Sequence, residues 1–343
     1  MRSGQHTLLA FAQRPWQPRH TGQSKARQEN EKSFPYFQFN KNTRVKAIGN
    51  LLTNAKNIIL FVNKGQKMNG IFAFSFKITN WCNLRCAHCC ENSGKTNPPN
   101  FLPLDKMEQY LGEIYALPYN ISEYIVIGGG EGMAPYFFKN IKYIPRALDL
   151  IFKAGKIPTI KTNGTWGASD DKRKLILGTL ANAAYSADTL VTLDISVDEF
   201  HDNTRAVADL INGILSNDYI MAGIRPVLVG FNTGGSANAL KKLKDELNNR
   251  KIGIDELPNG DFGAYNKRGT GIRIPVDYHN EIHNLGRAIQ NKVYTSTDAP
   301  TTPYVNCVQI DNNDNAILNY LYSEQIDGYN LKTVMTNLIA KAL

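Results

Sequence analysis

Short runs of β-branched residues alternate with longer amphipathic segments from Ile71 to about residue 260 of this chain. From the second run onward the runs begin about 30 residues apart, the length of one strand plus one crossover helix. This spacing predicts consecutive βα units, whose strands lie parallel in one sheet. Six units are fewer than the eight of a closed barrel, so we predict an α/β fold with a partial (β/α)6 barrel of parallel strands. The predicted strands lie at 71–79, 124–127, 157–162, 189–197, 223–229 and 252–257.

Apolar spacing predicts helices between and after these strands. From Leu104 onward apolar residues recur at i, i+3, i+7 and i+10, and Asp105 with Glu108 is predicted to cap the start of this helix. Beyond residue 260 the βα rhythm breaks, with a turn at 311–315 between two apolar runs. A last amphipathic helix is predicted from Leu331 to the end. We therefore expect a small C-terminal cap after the barrel.

The formal net charge of +9 is concentrated at the start of the 343-residue chain. Residues 1–67 hold 12 basic and 2 acidic residues, whereas residues 68–343 hold 27 basic and 28 acidic residues. The body of the protein is therefore close to neutral. A neutral body argues against a nucleic-acid partner, because a phosphate-binding face carries excess lysine and arginine.

The first segment also lacks the patterning of a folded domain. We expect residues 1–67 to be a disordered basic extension, because they show no sustained period of two or 3.6. Fold-like patterning begins just after Met68, and we favour Met68 as the true start of the protein over an organelle transit peptide upstream of it. The barrel is expected over 68–260 and the cap over 261–343. No run of 18 or more apolar residues occurs, so we expect no membrane-spanning segment and no membrane partner.

Four of the five cysteines fall within nine residues, directly after the first predicted strand. Cys82, Cys86 and Cys89 have the spacing C-x3-C-x2-C, which brings three thiolates around one small metal cluster, and thiolates are the usual ligands of iron-sulfur centres. Three thiolates leave one iron of a four-iron cubane free to bind a small molecule. Structural zinc is the alternative, although zinc ligands usually come as two separated pairs. Clustered cysteines indicate a reducing compartment, so we expect a cytoplasmic protein. We expect the two remaining cysteines, Cys90 and Cys307, not to bind the metal.

The cysteine loop resembles that of the radical S-adenosylmethionine (radical SAM) superfamily, whose members carry C-x3-C-x-aromatic-C after the first strand. His88 takes the aromatic position. The resemblance implies that Cys82, Cys86 and Cys89 ligate one [4Fe-4S] cluster and that S-adenosylmethionine (SAM) chelates the open iron. It implies an enzyme that cleaves SAM reductively to a 5'-deoxyadenosyl radical, which abstracts hydrogen from a substrate. An electron donor such as flavodoxin or ferredoxin is the implied partner.

Other strand ends resemble superfamily motifs that hold SAM. Gly129, Gly130 and Glu131 follow the second strand and resemble the GGE motif, whose carboxylate meets the amino group of SAM. The superfamily commonly has proline after this glutamate, whereas this chain has Gly132. The third strand ends in a segment that resembles the TNG motif, with a plain turn as the alternative. The candidate cofactor-binding residues are His88, Gly129, Gly130, Glu131, Asn163, Ser196 and Arg225.

The fourth predicted strand carries a polar row. Period two puts Asp194, Ser196 and Asp198 on one face, which predicts that they line the barrel cavity. We predict Asp198 and His201 as catalytic residues at the mouth of the cavity, where substrate sits, with a solvated loop as the alternative for His201. Arg225 is predicted to pair with a carboxylate of SAM or, equally, with Asp194.

The residues leave the substrate open. Cys307 and the apolar run after it resemble the hairpin in C-terminal extensions of peptide-modifying superfamily members, so a peptide or protein side chain is our first expectation. A small metabolite or RNA comes next. Two rival classes of protein also stay open: a non-enzymatic iron-sulfur electron carrier, in which every iron has a protein ligand, and a zinc-stabilised binding module.

Overall fold

A computed structural model describes residues 71–342, except for 217–218, 221, 232, 258–259, 267–270, 280–290, 292–304, 319–321 and 327–329. The extension predicted over residues 1–67 lies outside the described residues. No helix in the described part of the chain combines the length and the apolar character that crossing a membrane requires.

Strands and helices alternate through most of the described chain. The strands are β1 (Ile71–Lys77), β2 (Asn120–Gly128), β3 (Ile157–Thr162), β4 (Val191–Ser196), β5 (Ile224–Phe231), β6 (Gly253–Glu256), β7 (Phe262–Tyr265), β8 (Gly271–Ile274), β9 (Val276–His279), β10 (Val305–Asp311), β11 (Asn315–Leu318) and β12 (Tyr322–Gln325). The helices are α1 (Leu104–Tyr115), α2 (Ala134–Phe137), α3 (Tyr143–Lys153), α4 (Asp170–Ser186), α5 (Thr204–Ser216), α6 (Gly234–Asn249) and α7 (Leu331–Ala342), with a 3-10 helix at Thr165–Ala168.

Nine of the described strands form one open sheet in the order β12-β11-β10-β1-β2-β3-β4-β5-β9. Neighbours from β10 to β9 are parallel, and β11 and β12 add an antiparallel edge. Within the described residues the sheet ends at β9 on one side and at β12 on the other, and these two strands do not pair with each other, so the barrel stays open. The prediction of a partial barrel of parallel strands is confirmed.

The sheet has an apolar face and a polar face, because side chains alternate along each strand. Phe74 and Phe76 of β1 are buried in a core that also contains Met107 of α1 and Ile144 of α3. The alternate residues of the central strands lie on the opposite face, which we call the inner face. Its polar members include Ser75, Lys77, Thr159, Lys161, Thr192, Asp194, Ser196, Arg225, Gln309 and Asp311.

The prediction that the strand at 252–257 completes the barrel is wrong. A strand does form there, as β6, but it pairs antiparallel with β7 in a separate sheet that also contains β8. Asp255 and Glu256 are adjacent and both exposed, so the strand presents a carboxylate to each of its faces. That pattern suits a small solvent-facing sheet and not a barrel whose outer face is covered by helices. β9 takes the sixth position, parallel to β5.

The main sheet continues past residue 260, where we expected a separate cap. β10 pairs in parallel with β1, and β11 and β12 follow it in hairpins. The predicted turn at 311–315 joins β10 to β11, and Asp311 Oδ1 accepts the backbone N–H groups of Asn313 and Asn315, both at 2.9 Å. The main sheet therefore takes strands from both sides of residue 260 in the sequence.

Helix α1 begins without the predicted capping pair. Pro103 directly precedes its first residue, and no side chain caps the helix there. The proline ring fixes φ near the helical value, so the chain enters the helix without a polar cap. Asp105 instead lies in the first turn, where its charge interacts favourably with the helix dipole.

Candidate metal centre

The cysteine loop leaves the carboxyl end of β1 and lies against the end of β2. The N–H of Ile78 donates to the carbonyl of Gly128 at 2.9 Å. The N–H of Glu131 donates to the carbonyl of Trp81 at 3.0 Å, and Trp81 also pairs with Gly94 on the returning side of the loop. The loop therefore sits at the carboxyl edge of the parallel strands, where α/β proteins place their sites.

Hydrogen-bond donors point at two of the three predicted ligand sulfurs. Cys82 Sγ accepts the N–H of Leu84 at 3.4 Å and Nδ2 of Asn163 at 3.6 Å. Cys89 Sγ accepts the N–H of Ser93 at 3.4 Å. None of the cysteines in the described residues is in a disulfide. Thiols that form no disulfide and that have N–H donors directed at sulfur fit the role of thiolate ligands to an iron-sulfur cluster.

At neutral pH the thiol of Cys82 keeps its proton unless a metal displaces it. Burial raises the pKa of its thiol to about 12, and the negative charge of Glu131 acts in the same direction, while the N–H of Leu84 opposes both. A coordinated metal deprotonates a thiol outright. Assembly of a cluster on this loop must therefore release a proton from Cys82 at neutral pH.

The two cysteines outside the predicted ligand set lie toward the inner face. Cys90 is exposed as a whole residue, yet desolvation of its thiol and the charge of Glu91 raise the pKa of that thiol to about 12. The cations of Lys161 and Lys77 act in the opposite direction. Burial also raises the pKa of Cys307 on β10. Neither thiol takes part in the C-x3-C-x2-C spacing.

The glycine turn after β2 packs directly on the cysteine loop. Gly129 and Gly130 have φ values of +77° and +54°, which favour glycine. A Cβ at Gly130 would lie 2.0 Å from the carbonyl oxygen of Trp81. A Cβ at Gly132 would lie 2.3 Å from the carbonyl oxygen of Lys161, to which the N–H of Gly132 donates at 3.1 Å. Proline has neither the space nor the N–H for this contact, which explains why glycine follows Glu131 here.

Glu131 is completely buried and joins the ends of β2 and β3. Its Oε1 accepts the N–H of Met133 at 2.9 Å and the hydroxyl of Thr162 at 2.6 Å. Its Oε2 accepts the N–H of Asn163 at 2.9 Å. Burial raises the pKa of this carboxyl, and the three hydrogen bonds oppose that shift. Acceptor capacity remains on Oε2, because a carboxylate oxygen has two lone pairs.

Asn163 links the third strand to the cysteine loop. Besides Cys82, its Nδ2 donates to Oδ1 of Asn83 at 2.9 Å, and its Oδ1 accepts the hydroxyl of Thr165 at 2.6 Å. Asn203 holds this end of β3 to β4, because its Nδ2 donates to the carbonyls of Asn163 and Ser196 at 2.5 and 2.7 Å. The sequence analysis did not single out Asn203. Its position directly before a helix, where asparagine is common as a cap, was the available signal.

Asp198 and His201 lie beside the cysteine loop. His201 Nδ1 is 2.8 Å from Oδ1 of Asp198, and its ring also hydrogen-bonds Cys86. Burial alone lowers the pKa of His201, but these two partners outweigh it and raise the pKa to about 10. Burial likewise favours neutral Asp198, yet the bond from His201 holds the pKa of Asp198 below its usual value. With only 10% of its side chain exposed, His201 is not a solvated loop residue.

His88 completes an aromatic cluster on this side of the loop. Its ring centroid lies 4.5 Å from that of Phe200, 5.0 Å from that of Phe231 and 5.2 Å from that of His201. Ligand atoms of His88, Asp198 and His201 lie within 4.8 Å of one another, so the three form a set able to hold a metal ion. Because His88 lies between Cys86 and Cys89 in the sequence, this set belongs to the same site as the cysteines.

The structure does not bring Arg225 to this site. Arg225 is exposed and lies opposite Thr192 near the amino end of its strand, whereas Ser196 lies opposite Val229. Four residues along a strand separate the two levels, or about 13 Å. The residue opposite Asp194 is Lys161, whose charge opposes the rise in the pKa of Asp194 that burial causes.

Comparison with known proteins finds a family model that matches the segment carrying this site. Residues 76–227 match the family model of the Radical SAM superfamily. No curated relative matches the chain. The matched segment runs from the end of β1 into β5 and so contains the cysteine loop, the glycine turn and the ends of β3 and β4.

Three similar solved structures have low sequence identity. For anSMEcpe with bound AdoMet and Cp18Cys peptide the identity is 13%, the match covers 53% of this chain and 48% of that one, and the TM-score is 0.35. SuiB of Streptococcus suis bound to S-adenosylmethionine is 12% identical, with coverages of 84% and 70% and a TM-score of 0.38. SuiB bound to precursor peptide SuiA is 11% identical, with coverages of 83% and 69% and a TM-score of 0.40. The match spans about half the length of anSMEcpe.

Proposed function

We propose that this chain, which carries a radical SAM domain over residues 76–227, is an enzyme that cleaves SAM reductively and abstracts hydrogen from a substrate. The observation that carries the proposal is the three-cysteine loop at the carboxyl edge of the parallel strands, with N–H donors aimed at its sulfurs. When bound there, a [4Fe-4S] cluster supplies the electron that cleaves SAM. The protein supplies binding, orientation and exclusion of water.

Cys82, Cys86 and Cys89 are the proposed cluster ligands. Their spacing leaves one coordination position open to SAM. Leu84 and Ser93 donate backbone N–H groups to Cys82 and Cys89, and these donors lower the negative charge density on the sulfurs. The remaining thiols, Cys90 and Cys307, are proposed not to bind iron.

Glu131, Asn163 and Ser196 are the proposed SAM-binding residues at the ends of β2, β3 and β4. Glu131 is proposed to act in two ways. Its carboxylate fixes the strand end that carries Asn163, and the remaining lone pair on Oε2 can accept a hydrogen bond from the SAM ammonium. Gly129 and Gly130 are proposed to act indirectly, by letting the cysteine loop approach the end of β2. His88 is proposed to lie beside the adenine.

Asp198 and His201 are proposed to position Cys86. Asp198 holds the imidazole, and the imidazole donates to the sulfur, in the way that carboxylates orient metal-bound histidines. This proposal replaces our expectation that the pair faces the substrate at the mouth. The inner face offers other groups to a substrate, chiefly the exposed lysine Lys161 and Asp194 opposite it.

A peptide or protein side chain is the proposed substrate. Its support is the open side of the barrel between the sheet edges β9 and β12 within the described residues, through which a chain segment can reach the inner face without threading. A small metabolite does not need such an opening. The test is to incubate the anaerobically reduced protein with peptides and with small metabolites and to detect hydrogen loss by mass spectrometry.

Addition of SAM to the reduced protein will change the electron paramagnetic resonance spectrum of the cluster, because SAM would bind at the iron that Cys82, Cys86 and Cys89 leave without a protein ligand. Glu131→Gln will weaken that response, since the substitution replaces an anionic acceptor with a neutral group. We expect the concentration of SAM that gives half of the change to rise about tenfold, as for a lost charge-assisted hydrogen bond. The measurement is a titration with SAM at constant cluster content.

Two results of that titration bear on the rival functions. An unchanged spectrum in the wild-type protein would favour an iron-sulfur electron carrier. Zinc in place of iron and sulfide, in protein purified without oxygen, would favour a binding module. Glu131→Asp is the matched variant for Glu131→Gln, because it keeps the negative charge while shortening the side chain.

His201→Phe will shift the reduction potential of the cluster to a more negative value. The substitution keeps an aromatic ring beside His88 but removes the N–H donor to Cys86, so negative charge on the sulfur is less stabilised. A redox titration followed by electron paramagnetic resonance measures the shift. Phe200→Leu is the control, because it removes a ring that contacts His88 but leaves the bond from His201 to Cys86 in place. An unchanged potential in His201→Phe would leave His201 with a packing role only.

A further inference from the structure

An apolar and basic surface lies on the outer side of the cysteine loop. We define the outer patch as Phe138, Lys139, Ile141 and Lys142, which follow helix α2. Phe138 is 41% exposed and Ile141 is 48% exposed, and both lysines are exposed. Large apolar side chains beside charged ones at the surface are typical of protein interaction sites.

The outer patch connects directly to the ligand loop. The ring of Trp81, the residue before Cys82, meets the ring of Phe138 edge-on at 4.8 Å and that of Phe137 at 5.3 Å. Lys172 lies over the ring of Phe137, with its Nζ 4.4 Å from the centroid. A partner seated on the outer patch is therefore one aromatic side chain away from the backbone that carries a proposed cluster ligand.

The charge of this region differs from that of the rest of the folded chain. From 132 to 148 there are three basic residues and no acidic ones, whereas residues 68–343 together hold 27 basic and 28 acidic residues. Arg146 is paired with Glu108 and Asp149, but Lys139 and Lys142 form no ion pair within the described residues. Lys172 adds a fourth cation next to the aromatic rings. A local excess of positive charge on a neutral body attracts and orients an acidic partner.

We propose that the outer patch is the docking surface for an acidic protein that donates one electron to the cluster. The proposal rests on the proposed function, which needs one electron for each SAM cleaved. The donor is oxidised by one electron, the cluster is reduced by one electron, and no atoms are transferred. Electron transfer falls steeply with distance, and the outer patch is the exposed surface that the rings of Trp81 and Phe138 join to the cysteine loop.

The test of the proposal is the anaerobic reduction of the cluster by a reduced flavodoxin or ferredoxin. The rate of reduction is measured from the loss of visible absorbance of the cluster. The variant is Lys139→Glu with Lys142→Glu. We expect donor-driven reduction to slow about tenfold or more at low salt, because charges at an interface act mainly on association. Reduction by dithionite is expected to keep its wild-type rate. The matched control is Lys241→Glu with Lys242→Glu, two exposed lysines on α6 that should have no effect.

A second variant guards against a fold defect. Lys139 has a φ of +58°, so Lys139→Asn with Lys142→Gln removes both charges and places at 139 a residue that tolerates this conformation. This variant should also slow donor-driven reduction, by less than charge reversal does.

The proposal would be overturned by donor-driven reduction at the wild-type rate in the double Glu variant, by an equal loss of rate with dithionite, or by no reduction of the wild-type cluster by either donor protein. If the outer patch instead binds a second copy of the chain, the wild-type protein will be a dimer and the double Glu variant will be a monomer whose cluster is reduced at the wild-type rate. That result would also overturn the proposal. Cluster reduction needs no SAM. Failure of SAM cleavage with dithionite would therefore count against the proposed function and not against the docking surface.

Discussion

Replacing Cys82, Cys86 or Cys89 with alanine will abolish binding of the iron-sulfur cluster. Each substitution removes one of only three protein ligands, and the two thiolates that remain would leave two of the four irons without a protein ligand. We expect iron content after anaerobic reconstitution to fall from near four atoms per chain, the content of one [4Fe-4S] cluster, to near background. Iron and sulfide analysis with the visible absorption spectrum measures the outcome.

The two other cysteines provide matched controls for these substitutions. Cys90 is an exposed residue adjacent to a proposed ligand, whereas Cys307 lies on β10. Cys90→Ala and Cys307→Ala should keep iron near the wild-type amount. Retained iron in Cys86→Ala, or iron lost in Cys90→Ala, would show that the ligand set is assigned wrongly.

Loading of the cluster should also depend on pH. Because burial raises the pKa of Cys82 to about 12, this thiol holds its proton at neutral pH until a metal displaces it. Assembly should therefore become more favourable as pH rises, since proton release accompanies ligation.

Periodicity and spacing predicted the features that local sequence controls. Five strands and the cysteine loop lie where the sequence analysis put them, because apolar alternation and ligand spacing are properties of neighbouring residues. The sixth barrel strand was misplaced, because the pairing of β6 with β7 depends on residues that follow it. Nothing local to 276–279 indicates that it lies beside β5.

The candidate site shows the same division between local and distant information. The sequence predicted Glu131 at the end of a strand, but not that its oxygens are shared among Met133, Thr162 and Asn163. It predicted Asp198 and His201 near the cavity, but not the contact of His201 with Cys86. Those contacts depend on how separate strand ends meet, and strand order decides that.

Gly130→Ala will destabilise the fold and weaken cluster binding, although alanine adds only one methyl group. At this position φ is +54°, and the new Cβ would lie 2.0 Å from the carbonyl oxygen of Trp81, a distance that real Cβ atoms do not show. That carbonyl also accepts the N–H of Glu131, so the cysteine loop must move away from β2 to make room. We expect the free energy of unfolding to fall by roughly 2 to 3 kcal/mol. Chemical denaturation of the cluster-free protein measures it.

Gly112→Ala is the matched control, because a Cβ there meets nothing within 4 Å and Gly112 lies inside helix α1. Alanine should raise the free energy of unfolding by roughly 0.4 to 1 kcal/mol, since it restricts the unfolded chain and favours the helix. The two variants thus make the same chemical change with opposite expected signs. Equal stabilities for Gly130→Ala and the wild type would mean that the glycine turn does not pack on the cysteine loop. The indirect role proposed for Gly130 in holding that loop would then be lost as well.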